Sequence, residues 1–122
     1  MARILLVDDE AILLRMFEAA LQVDDHEVTT ASDGNRALAL LSAGAFDLVV
    51  TDLMLPDMEG LGIITEIRGK KPDLPIIAMS GGGGDSSGDY LEMAAQLGAK
   101  RTLLKPFSAR QLLGAVSEVL RT

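Results

Sequence analysis

Short unbroken apolar runs alternate along the chain with longer stretches in which apolar residues recur every three or four positions. The runs are Ile4-Leu5-Leu6-Val7, Leu48-Val49-Val50, Ile76-Ile77-Ala78-Met79 and Thr102-Leu103-Leu104. Fully apolar runs of this length suit strands buried on both faces, as in a parallel sheet. Glu27 to Ala31 alternates polar and apolar residues and predicts an exposed edge strand. Between the runs, Leu13, Met16, Phe17, Ala20 and Leu21 share one helical face. Ala37, Leu38 and Leu41 do so after the turn signal Ser32-Asp33-Gly34. Ile63, Ile64 and Ile67 follow Gly60, and Leu91, Ala94 and Ala95 follow a glycine run. The last stripe, Leu112, Leu113, Val116, Val119 and Leu120, is opened by Ser108 with Gln111 three residues on. That spacing predicts a capping box, in which each side chain satisfies an orphan backbone N–H of the other. Strands and helices in strict alternation, joined by right-handed crossovers, predict a doubly wound α/β fold with a five-stranded parallel sheet. One domain over residues 1–122 is expected, with no linker, repeat or output domain.

Composition narrows the chemistry. The 122 residues hold 11 Lys and Arg against 18 Asp and Glu, a net charge of -7. Such a chain has no general field attracting nucleic acid phosphates or anionic membranes, so neither is expected as a partner. The absence of Cys excludes a disulfide scaffold, Cys-ligated zinc, iron–sulfur clusters and thiol catalysis, and the single His excludes a multi-His metal site. No apolar run approaches the ~18 residues of a membrane span. Met1-Ala2-Arg3 leads straight into a strand rather than a signal peptide, so a cytoplasmic location is expected. The Gly81 to Gly84 run is not a dinucleotide fingerprint, because the glycine that GxGxxG needs at 86 or 87 is Ser. A flexible loop is the better reading.

In an open α/β sheet, chemistry gathers outside the carboxyl ends of the strands. Those ends carry Asp8 and Asp9, Asp52, Ser80 and Lys105. Any one acid there is readily explained as a helix cap. Loops converging on three carboxylates, a hydroxyl and an amine are not. Two carboxylates ~5 Å apart repel by roughly 3 kcal/mol at an effective dielectric near 20, so three together must hold a proton or a cation. Hard oxygen donors without His or Cys point to Mg²⁺. With that ion and Lys105 the site reaches neutrality and can accept a phosphoryl group on a carboxylate.

Taken together, Asp8-Asp9, Asp52-x-x-x-Pro56 followed by Gly60, Ser80-Gly81 and Lys105-Pro106-Phe107 resemble, in order and spacing, the receiver domain of two-component response regulators. The resemblance runs from Arg3 to Leu120 and implies a flavodoxin-like strand order, 2-1-3-4-5. It implies that Asp52 takes a phosphoryl group from a histidine kinase or histidine phosphotransfer protein and later loses it slowly to water. It further implies Mg²⁺ on Asp9, Asp52 and the Met54 carbonyl, with Asp8 acting through water. Lys105 would pair with a phosphoryl oxygen, Ser80 would bind another and act as the switch, and the Lys105–Pro106 bond would be cis. His26 receives no role and reads as a surface residue. The downstream protein target is not named by the sequence.

Two positions depart from the family pattern. Thr102 stands where the family commonly has an aromatic switch residue, which moves the expected switching toward Ser80 and the glycine loop. Ile12 and Leu14 are apolar yet lie off the core stripe, which suggests a docking face for the phosphohistidine partner. Thr102 also favours a competing reading, a phosphorylation-independent interaction module. An aspartyl-phosphate phosphatase would need a general acid two residues past the nucleophile, and Met54 cannot serve.

Overall fold

The computed structural model describes residues 2–58, 61–81 and 87–121, with the side chains of 87–89 left aside. The elements alternate as expected: β1 (Arg3–Val7), α1 (Ala11–Val23), β2 (Glu27–Ala31), α2 (Gly34–Ala43), β3 (Leu48–Asp52), α3 (Gly62–Lys70), β4 (Ile76–Ser80), α4 (Ser87–Gln96), β5 (Arg101–Leu104) and α5 (Ala109–Leu120). All pairings are parallel, and the sheet runs β2-β1-β3-β4-β5. This is the doubly wound, flavodoxin-like order that the resemblance implied. Gly82 to Gly84, the rest of the predicted flexible loop, lie outside the described residues.

Strand periodicity splits the core into two layers, because successive side chains face opposite sides of a sheet. Leu5, Val7, Val49, Ile76 and Ala78 pack against α2, α3 and α4. Ile4, Leu6, Leu48, Val50, Ile77 and Met79 pack against α1 and α5. The central strands β1, β3 and β4 are almost wholly buried. The Thr102-Leu103-Leu104 run departs from its expected burial: Thr102 and Leu103 are half-buried and Leu104 is 55% exposed. The reason is position, since β5 pairs only with β4 and forms the second edge of the sheet.

Local signals place the helix starts. The Ser108–Gln111 capping box is formed, with Gln111 N–H donating to Ser108 Oγ and Ser108 N–H to Gln111 Oε1. Asp33 Oδ1 accepts from Arg36 N–H at the start of α2. The first amides of α2 are satisfied from a distance: Gly34 N–H and Asn35 N–H donate to the two oxygens of Asp57, at 2.8 and 2.7 Å. These bonds hold the Asp57 carboxyl below the usual carboxylate range. Met58 then fills the space beside Gly34, where a Cβ would collide with its sulfur.

Four side chains differ from their predicted settings. Met16, read as core, is 58% exposed, whereas Leu14, read as off the stripe, packs against the α1/α5 layer. The rotation of α1 is set by Phe17, whose ring stacks on Phe107 at 5.0 Å between centroids. Ala95 is exposed, and Ala94 with Leu91 carries the α4 contact. His26 is no surface residue: its side chain is 10% exposed and its Nδ1 accepts from Ala2 N–H at 3.2 Å. Among the described residues, no helix is long and apolar enough to cross a membrane.

Candidate functional site

The carboxyl ends of β1, β3, β4 and β5 meet at one rim of the sheet. Among the described residues, every buried polar or charged side chain is found there: Asp8, Thr51, Asp52 and Ser80. Burial of polar groups is costly unless they are paired, so the pairing pattern carries the chemistry.

Asp8 follows β1, whose end is held to β2 by Asp8 N–H donating to the Ala31 carbonyl. Its Oδ1 accepts from Glu10 N–H at 2.9 Å and its Oδ2 from Lys105 Nζ at 2.9 Å. Asp52 closes β3; its Oδ1 accepts from Met54 N–H at 3.0 Å and its Oδ2 from Lys105 Nζ at 2.9 Å. One ammonium therefore bridges two buried carboxylates from different strands. A third acid, Glu10, places Oε1 at 3.6 Å from the same Nζ. Lys105 is delivered by β5, where its own N–H donates to the Ser80 carbonyl at 2.7 Å. Its stem passes directly over Gly81, and a Cβ at Gly81 would overlap Lys105 Cβ. Glycine is required here by close approach. The Lys105–Pro106 bond is cis, as the resemblance implied.

Carboxylate oxygens of Asp8, Asp9 and Asp52 lie within 4.8 Å of one another, with Asp9 exposed at the mouth. Three acids and one lysine leave a net charge of about -2 in a partly dry setting. Burial raises the Asp52 carboxyl above its ordinary value, with nearby Asp8 adding to the effect and the Lys105 and Met54 hydrogen bonds opposing it. Burial works to lower the Lys105 ammonium, yet its bonds and attraction to Asp52 and Asp8 outweigh this and hold it above its ordinary value. The ammonium is charged, and negative charge remains in excess. Such an all-oxygen donor set fits a hard divalent cation of the Mg²⁺ kind.

The other sequence-predicted positions divide. Ser80 is buried at the end of β4, with its carbonyl engaged by Lys105. Met54 lies beside Asp52 through its backbone N–H, and its side chain is exposed. Thr102 pairs in register with Ala78 and is half-buried in β5. Ile12 is 75% exposed on α1, while half-buried Leu14 turns mainly to the core. Sequence reasoning missed Glu10 and Asp57, and read Gly81 as part of the Ser80-Gly81 motif without its contact to Lys105. Glu10 was signalled by a third consecutive acid, Asp8-Asp9-Glu10, with Glu a poor helix cap. The roles of Asp57 and Gly81 depend on contacts between distant segments.

A family model described as the response regulator receiver domain matches residues 4–117. A relative from Cyanophora paradoxa, named probable transcriptional regulator ycf27, is 36% identical over 121 residues, covering 98% of this chain and 48% of that protein. The chain spans about half the length of the curated relatives it matches. Several of those are named transcriptional regulators, and the expectation of no nucleic acid partner, drawn from the charge of these 122 residues, applies to these residues alone. The solved receiver domain of NtrX from Brucella abortus aligns with a TM-score of 0.90 at 33% identity, covering 98% of each chain. A response regulator receiver domain protein from Clostridium thermocellum aligns with a TM-score of 0.90 at 31% identity, covering 99% of this chain and 95% of that one. With the strand order, the rim of acids and these likenesses in agreement, the chain belongs to the response regulator receiver domain family of two-component systems.

Proposed function

We propose that this receiver accepts a phosphoryl group on Asp52 from a phosphohistidine of a histidine kinase or phosphotransfer protein, and signals through phosphorylation-dependent protein contacts or onward phosphate relay. The observation that carries the reading is the Lys105 ammonium held at 2.9 Å from both Asp52 and Asp8. A carboxylate oxygen of Asp52 attacks phosphorus and a P–O bond forms. The P–N bond to the partner's imidazole breaks, and that ring takes up a proton as it leaves. Lys105 offsets the negative charge on the phosphoryl oxygens during transfer. Water later hydrolyses the acyl phosphate and regenerates the carboxylate.

Asp9, Asp52 and the Met54 carbonyl would hold Mg²⁺ directly and Asp8 through water; when bound, the ion supplies positive charge to the phosphoryl oxygens. Ser80, at the end of the strand beside Asp52, would take another phosphoryl oxygen and act as the switch. Thr102 lacks an aromatic ring to follow it, so the change is read out at Ser80 and the loop after it. Docking of the partner falls to the apolar residues near the site. Ile12, with the accessible part of Leu14, begins α1, and exposed Met54 and Leu104 lie within two residues of Asp52 and Lys105.

The test is a phosphate-affinity gel with acetyl phosphate and Mg²⁺, run on the unaltered chain and on Asp52→Ala. A retarded band that needs both Asp52 and the metal supports the proposal. No band under any condition would favour the phosphorylation-independent module. Ile12→Ser should slow transfer from the cognate kinase while leaving acetyl phosphate labelling unchanged; equal slowing of both would remove the docking role.

A further inference from the structure

Glu10 occupies the N-cap of α1 but makes no side-chain capping bond. Glutamate is a weak choice for that position, where Ser, Thr, Asp or Asn normally serve the free amides. A local rule broken beside a site points to a role in the site. Its carboxylate turns to Lys105 instead, 3.6 Å from Nζ, on an ammonium already shared by Asp8 and Asp52. The side chain is 60% exposed, so its charge acts through solvent and is open to screening by salt.

We infer that Glu10 is a specificity-determining residue that biases the Asp52 site toward cation binding and against the phosphoryl group, by adding a fourth negative charge and competing for Lys105. The inference rests on the phosphoacceptor reading and deepens it. The sign follows from Coulomb's law. A divalent cation entering among Asp8, Asp9 and Asp52 is drawn by a further carboxylate at the rim. A phosphoryl group on Asp52 is repelled by the same carboxylate, which also holds part of the Lys105 charge away from it. Removing this charge therefore shifts the two affinities in opposite directions. A residue with a merely structural role would move both the same way, or neither.

Glu10→Gln tests this cleanly, because it keeps the shape and leaves the Glu10 N–H bond to Asp8 Oδ1 in place. Mg²⁺ alone is titrated by calorimetry, and then beryllofluoride, a phosphoryl mimic, is titrated at saturating Mg²⁺. Relative to the unaltered chain, Glu10→Gln is expected to weaken Mg²⁺ by about threefold and to tighten beryllofluoride by about threefold. Both differences should shrink as KCl rises toward 1 M, where the screening length falls to about 3 Å. Glu66→Gln on α3, an equal change in net charge at an exposed position, should move neither affinity. Shifts of the same sign, no shift, or equal shifts in Glu66→Gln would overturn the role of Glu10. If the unaltered chain shows no Mg²⁺-dependent beryllofluoride binding, the phosphoacceptor reading itself fails and Glu10 falls with it.

Discussion

The two ends of the sheet handle polar groups in opposite ways. At the amino ends of the strands lies a broad hollow of about 560 Å³, bordered by Ala2, Asp24, His26, Asp47 and Pro75. Its groups are matched to backbone: Asp47 Oδ2 accepts from Arg3 N–H at 2.8 Å, and His26 Nδ1 accepts from Ala2 N–H. At the carboxyl ends the acids are buried, closely grouped and matched by one shared ammonium. The hollow offers space, with Asp47 and His26 each engaged by a backbone amide. The opposite rim offers unbalanced charge, the property on which the proposed phosphoryl chemistry rests.

The sharpest way to break this contrast is Asp52→Asn. It should abolish phosphorylation and at the same time raise the melting temperature by about 3 °C, because burial makes the ionised carboxylate costly at neutral pH. A lower melting temperature would mean that the Lys105 pairing outweighs that cost. Gly81→Ala comes next. The added methyl displaces the Lys105 stem, and a misplacement near 1 Å is expected to slow acetyl phosphate labelling by about 100-fold. Labelling at the original rate would show that the stem can yield without moving Nζ.

At the other end, Asp47→Ala should cost about 1 kcal/mol in urea unfolding and leave the labelling rate unchanged, since its partner is structural backbone. A changed rate would show that the two ends communicate. The smallest effect concerns Asp57. Its carboxyl is held below the ordinary value of 3.8 by the Gly34 and Asn35 amides, so its contribution to stability is present above that value and disappears as pH falls through the lowered one. Melting curves of the unaltered chain and Asp57→Ala should differ at neutral pH and converge in acid below 3.8; a constant gap would argue against the carboxylate as the tether.

Much of this molecule was determined by sequence alone. Apolar runs ending in Asp8, Asp52 and Ser80 announce buried strands, and together with the run before Lys105 they bring their polar end residues to one rim, because parallel crossovers bring like ends of strands together. The capping box of α5 was equally legible, since its bonds span only three residues. Tertiary structure decided what depends on distant partners. The rotation of α1, which turns half-buried Leu14 toward the core and exposes Met16, accompanies the stacking of Phe17 on Phe107. The exposure of Leu104 follows from β5 being an edge, and the tether between Asp57 and α2 crosses 23 residues of chain. The sharing of Lys105 by Asp8, Asp52 and Glu10 joins positions nearly a hundred residues apart. Periodicity records which face of an element is apolar, and only packing sets how that face is turned and which charges meet.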